Sequence, residues 1–284
     1  MAYHKISGFS DEIAPEINAQ FEGLNRLGIK YFEPRFIDGK NISKFSEEEL
    51  KALKAKMDSY GIKASSIGSP IGKINLTDDF DEHFEVFKNV VRAAEILESK
   101  YIRIFSFYNE GGVWDDSSRA IVLAELRKYI AYAKEHNVVL LHENERDIYG
   151  DNAERCLDLM KELYCDNFKG VFDPANFVLS GVDTKAAFDM LQPYIEYMHI
   201  KDASSDGKVL PSGMGEGNLE YILKNLFDGG FDGYLSLEPH LGNFVGLANL
   251  ETGDIMKGLP EGGEGTFTLA YNSLNNILGG IINE

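Results

Sequence analysis

The sequence is poor in several things whose presence would direct its chemistry. Its 284 residues hold only two cysteines, Cys156 and Cys165. Neither has a spacing partner, so nothing favours a disulfide framework or a soft metal, and reduced thiols are expected. Basic residues are also few: 28 Lys and Arg stand against 46 Asp and Glu, for a formal charge of -18. Such a chain repels a phosphate backbone, whose binding needs clustered Lys and Arg that release counterions, so no nucleic-acid partner is expected. No apolar run approaches the roughly 18 residues that a membrane span needs. The start, MAYHKISGFSDEIAP, lacks an apolar signal core, and the expectation is a soluble, cytoplasmic protein without a membrane partner. Nor does any low-complexity linker divide the chain before residue 240.

What the chain does have is ordinary globular material, 44% hydrophobic and 26% charged, enough to bury a substantial core. Its length exceeds the usual single-domain mode but lies near the roughly 250 residues of a (β/α)8 barrel, so one domain over 1–284 is expected. Short β-rich runs alternate with longer amphipathic ones throughout, which is how parallel strands joined by helical crossovers read. Eight strands are predicted, at 5–10, 29–34, 62–67, 101–107, 138–143, 169–173, 195–200 and 233–238. Between them, Ile17, Phe21 and Leu24, or Leu50, Leu53 and Met57, share one helical face. Ser46 and Glu49 have capping-box spacing, and Gly28 and Gly61 stand where a left-handed helix cap is favoured. An open doubly wound sheet would show the same runs, so the placement of the chemical groups has to decide between the two architectures.

Four successive predicted strands end in a metal-ligand type: Glu143 in LLHEN, Asp173 in VFDPAN, His199 in YMHIKD and Glu238 in LSLEPH. In a barrel these strands are neighbours and their C-terminal ends surround one mouth, where enzymes of this fold place their sites. Alternation agrees, since Val139, Leu141 and Glu143 share a strand face, as do Tyr234, Ser236 and Glu238. Three carboxylates and one imidazole suit one divalent ion such as Mn²⁺, Mg²⁺, Co²⁺ or Zn²⁺.

Further candidates surround these four. Lys201 and Asp202 follow His199 and either reach substrate hydroxyls or form a solvated turn. Asn176 either donates to a substrate oxygen or holds its own turn. Arg35 either meets an anionic substrate group or makes a surface ion pair. His240 lies beyond Pro239 and is left outside the metal shell; His142 alternates away from the barrel interior and reads as packed, and His4, His83 and His136 read as structural. Lys73 in SPIGK lacks the spacing of a phosphate loop. Residues 241–265 carry seven glycines and precede a final helix predicted at 268–278. A loop of that length is usually functional, and it is expected to cover the mouth or to form a subunit contact in a homo-oligomer.

The segments LLHENER (140–146), VFDPANF (171–177), MHIKDA (198–203), GEGN (215–218) and LSLEPH (235–240), with SPIGK (69–73), make the chain resemble the sugar phosphate isomerase and epimerase group of the xylose isomerase-like barrel superfamily. The resemblance spans almost the whole chain. It implies a (β/α)8 barrel, a metal held by Glu143, Asp173, His199 and Glu238, and proton transfer by the two glutamates. Ketose 3-epimerases of the superfamily carry a histidine soon after the aspartate and an arginine soon after the metal-binding histidine; Asn176 and Ser205 occupy those stretches here, against a free-ketose 3-epimerase. The endonucleases add histidines after strands three and four, where this chain has GSPIG (68–72) and SFYNEGG (106–112). The implied function is isomerisation or epimerisation of a small sugar, sugar acid or sugar phosphate through an enediolate. The alternatives are a dehydratase of the keto-inositol type and a non-catalytic sugar-binding barrel.

Overall fold

A computed structural model describes residues 5–241 and 262–282. All eight predicted strands form, several trimmed to a short hydrogen-bonded core: Ile6–Gly8, Tyr31–Phe32, Lys63–Ala64 continued by Ile67–Gly68, Tyr101–Ile104, Val139–Glu143, Phe168–Phe172, Ile195–Ile200 and Tyr234–Leu237. Seven segments form one parallel sheet, running from Ile67–Gly68 through Tyr101–Ile104 and its successors to Tyr234–Leu237 and then Ile6–Gly8. The short parallel pair Tyr31–Phe32 and Lys63–Ala64 fills the remaining gap. Glu33 N–H donates to Gly8 O at 2.9 Å and Gly68 N–H to Pro34 O at 2.9 Å, so the ring closes into a barrel. The doubly wound alternative is thereby excluded.

Alternation along the strands divides the core in two, because successive side chains point to opposite faces. Tyr101, Val139, Leu141, Val171 and Tyr197 pack together inside the barrel, with Tyr234 against them. Ile102, Leu140, Phe172, Met198, Leu235 and Leu237 point the other way into the layer shared with the helices. The inward face therefore climbs from an aromatic and aliphatic floor to Arg103, Glu143, His199 and Ser236, and polar side chains at strand ends line the top.

The helices follow their sequence signals. Ser46 and Glu49 form the capping box of Glu47–Tyr60, and Gly61 closes that helix at φ 66°. Two departures bear on the site. A short helix, Pro174–Leu179, starts directly after Asp173, whose side chain caps it by accepting from Asn176 N. The last helix runs Gly263–Ile282 rather than 268–278. Gly263, at its start, lies against Glu12 O, only 2.4 Å from where a Cβ would stand, so the glycine serves close packing there. Most of the predicted 241–265 loop lies outside the described residues. Among the described residues no helix is long and apolar enough to cross a membrane.

Candidate metal centre

Glu143 closes its strand, Asp173 and Glu238 follow theirs directly, and His199 is the penultimate residue of Ile195–Ile200. All four side chains are buried, and one ligand atom from each lies within 4.8 Å of the others. His199 Nδ1 stands 3.0 Å from Glu143 Oε1 and 3.7 Å from Glu238 Oε2. Phe9 packs edge-on against the imidazole at 5.2 Å and fixes its plane.

Three carboxylates this close repel one another in a medium of low dielectric, and cations offset the repulsion. Arg103, buried, bonds Glu143 Oε2 at 2.5 Å. Lys201 Nζ stands 2.9 Å from Asp173 Oδ2 and 3.1 Å from Glu238 Oε2. Arg35 reaches Glu238 Oε1 at 2.9 Å. Burial alone would push the pKa values of Glu143 and Glu238 up, but His199 and Arg103 hold Glu143 below the usual range, and Lys201, His240, His199 and Arg35 do the same for Glu238. Burial likewise pulls Lys201 down, and Asp173 and Glu238 overrule it so that the ammonium stays charged. For Asp173 burial wins over Lys201 and lifts the acid to about 7.

The donor set fits a divalent cation. Among the described residues, Asp173 Oδ2 and His199 Nδ1 are buried without an aligned hydrogen-bond partner; Lys201 approaches Asp173 off the hydrogen-bonding direction. A buried polar atom left unsatisfied costs roughly 1–3 kcal/mol, so such atoms converging on one point mark a place built for a ligand. Three oxygens and one imidazole nitrogen are hard to intermediate donors, as Mn²⁺, Mg²⁺, Co²⁺ or Zn²⁺ prefer.

The flanking candidates part company. Asn176 both caps its helix and donates from Nδ2 to Glu143 Oε1 at 3.2 Å. Lys201 is buried among the four, not in a solvated turn. Arg35, offered as a site for an anionic substrate group, is engaged by Asp11, Glu12 and Glu238. Asp202 does not turn to the mouth: its carboxylate accepts from the backbone of Ala203, Gly213, Gly215 and Gly217 at 2.8 to 3.0 Å. Both Gly215 and Gly217 approach Asp202 Oδ1 too closely for a Cβ, at 2.4 and 2.6 Å. The GEGN segment is therefore moulded around this acid. Replacing Asp202 with Ala is expected to strip hydrogen-exchange protection from the amides of Gly213, Gly215 and Gly217 by at least about tenfold, since hydrogen bonds to a charged acceptor are each worth roughly 1.5–3 kcal/mol. Unchanged protection would show that the loop is held by other contacts.

The other described histidines lie outside the cluster. His142 bonds Ser106 Oγ at 2.9 Å and is kept neutral by burial, with its pKa down at about 4. His83 accepts from Gly72 N, and His136 pairs with Glu95. His240 is 42% exposed and sits 3.4 Å from Glu238 Oε1, beside the four rather than among them; His4 is outside the described residues. Two buried charges at the mouth escaped the sequence reading. Arg103 sits mid-strand, and Glu33, 1% exposed, lies 3.3 Å from His199 Nε2. Glu33 had a usable signal, for YFEP ends its strand as LSLEP ends the last one.

Set beside known proteins, the chain matches the family model of the xylose isomerase-like TIM barrel over residues 21–257. A 3-dehydroshikimate dehydratase from Bacillus anthracis is 23% identical over 202 residues, 71% of this chain and 69% of that protein. The crystal structure of the IOLI protein with a bound zinc atom superposes with a TM-score of 0.77 at 16% identity, covering 98% of this chain and 99% of the other. That of an L-ribulose 3-epimerase gives 0.73 at 16% identity, over 98% and 95%. At such identities the structural likeness speaks for the fold.

Proposed function

The chain belongs to the xylose isomerase-like TIM-barrel family, and from that premise we propose that it is a divalent-metal-dependent isomerase or epimerase acting on a small sugar-like carbonyl compound. The observation that carries this reading is the pair of glutamates, Glu143 and Glu238, both brought to His199 Nδ1, at 3.0 and 3.7 Å. Glu143, Asp173, His199 and Glu238 would hold the ion. When bound it supplies a Lewis acid that draws on adjacent carbonyl and hydroxyl oxygens and so acidifies the neighbouring C–H.

The chain's own residues supply the rest. Arg103 keeps Glu143 ionised, and Lys201 and Arg35 do so for Glu238, so both are available as bases. Either glutamate could take the proton and leave an enediolate. Return by the other glutamate at the opposite face inverts the carbon; return by the first to the next carbon isomerises it. Lys201 and Asn176, which contact these carboxylates, would meet hydroxyls of a substrate bound beside the two glutamates. Among the described residues Arg35 is committed to three carboxylates and Lys73 to Glu145, which speaks against either of these two as a phosphate site.

The relative from Bacillus anthracis favours a second reading, a dehydratase. It would use the same base and enediolate but expel a hydroxyl from the adjoining carbon. Incubating a panel of ketoses, aldoses, their phosphates, inosose and 3-dehydroshikimate in heavy water, followed by mass and NMR, separates the two. An isomer or epimer carrying solvent deuterium is expected. A conjugated or deoxy product lighter by one water would assign the dehydratase instead, and no turnover with any ion would leave a binding protein.

A further inference from the structure

We infer that Glu33 is a positioning residue that decides which nitrogen of His199 faces the three carboxylates. The inference rests on the reading of Glu143, Asp173, His199 and Glu238 as a metal centre. An imidazole can present a lone pair from only one nitrogen while the other carries a proton, and a metal-ligating histidine usually gives that proton to a neighbouring carboxylate or carbonyl. Here the two nitrogens have different surroundings. Nδ1 faces Glu143 and Glu238, whereas Nε2 points away from them to Glu33 Oε2 at 3.3 Å.

Glu33 is itself held in place. Its Oε2 accepts from Tyr197 OH at 2.9 Å and from Ser236 Oγ at 2.8 Å. The Tyr197 hydroxyl lies 2.8 Å from Ser65 Oγ, which lies 2.6 Å from Ser7 Oγ. These residues belong to successive staves around the ring and form a belt of hydroxyls beneath the cluster. No Lys or Arg bonds Glu33 among the described residues, and its Oε1 has no hydrogen-bond partner there. Packing alone does not account for an acid at this depth, since an apolar side chain of the same size would cost far less to bury. Glu33 Oε2, 3.3 Å away, is placed to take the Nε2 proton, which leaves the Nδ1 lone pair for the ion.

The test compares the full-length wild type with Glu33→Gln and Glu33→Met, by calorimetric titration of the apo proteins with Zn²⁺ and by NMR of ¹⁵N-histidine-labelled, Zn²⁺-loaded protein. Gln keeps an acceptor of similar size, while Met fills the volume without one. Zn²⁺ affinity is expected to fall about 10- to 100-fold in Glu33→Met and several-fold less in Glu33→Gln, the usual effect of losing an outer-shell carboxylate. Zn²⁺-loaded wild type should carry a downfield, hydrogen-bonded Nε2 proton on His199, kept in the Gln variant and shifted upfield in the Met variant. Should the Met variant fail to fold, the wild-type and Gln spectra still decide. A wild type that binds Zn²⁺ with the His199 proton on Nδ1, or a folded Met variant that binds within twofold of wild type, overturns the role of Glu33 alone. A wild type that binds no Zn²⁺ overturns the metal reading itself.

Discussion

Glu143→Gln and Glu238→Gln are each expected to lower turnover by at least about a hundredfold while weakening substrate binding much less. Each change keeps the size of the side chain and one oxygen but removes the base, and a positioned general base contributes roughly 10²- to 10⁴-fold. Ion binding lowers the basicity of a carboxylate, yet the same ion acidifies the proton to be taken, and the second effect prevails when both substrate oxygens are engaged. The two variants should differ in stability. Arg103 is buried and its ion-pair partner among the described residues is Glu143, so Glu143→Gln leaves a buried guanidinium without its counter-charge. Breaking such a pair from one side costs about 3–5 kcal/mol, less whatever the amide oxygen of Gln recovers. Arg35 retains Asp11 and Glu12, and Lys201 retains Asp173, so Glu238→Gln should unfold closer to wild type. Equal melting temperatures would contradict the role given to Arg103, and near-normal turnover in both variants would remove proton transfer from the glutamates.

Chelation of divalent ions is expected to abolish turnover, by more than about a thousandfold, and leave the barrel folded. Activity falls because the acidifying Lewis acid is gone. The fold persists because Arg103, Lys201 and Arg35 already balance the carboxylates in the metal-free arrangement. Circular dichroism of the apo protein should therefore match the loaded form. Its melting point should be lower, because an ion at about a hundred times its Kd stabilises the native state by roughly 2.7 kcal/mol. Full activity after exhaustive chelation would end the metal reading; unfolding would show that the ion, and not the cations, holds the mouth together.

The barrel was legible because each stave combines an apolar run with a helix of matching period, and the four clustered residues because each closes such a run. Strand alternation even placed Glu143 above Val139 and Leu141 on the inner face. What stayed hidden depends on partners far apart in the chain. Arg103 reads as one charge inside YIRIFSF, and only the pairing of its strand with Val139–Glu143 brings it to Glu143. Asp202 looked like a group at the mouth because it sits two residues from a strand end; its true surroundings are amides that arrive from 213–217. Arg35 depended on Asp11 and Glu12, contributed by a turn after the first strand. Sequence spacing carries direction along one element, whereas charge compensation is settled between elements.

The measurement that bears most directly on the account is anomalous diffraction from crystals grown with Mn²⁺. One strong peak is expected at the barrel mouth, within about 2.0–2.4 Å of an oxygen from each of Glu143, Asp173 and Glu238 and of His199 Nδ1. A peak elsewhere on the molecule, or none at saturating Mn²⁺ with these four side chains still ordered around Lys201, would contradict it.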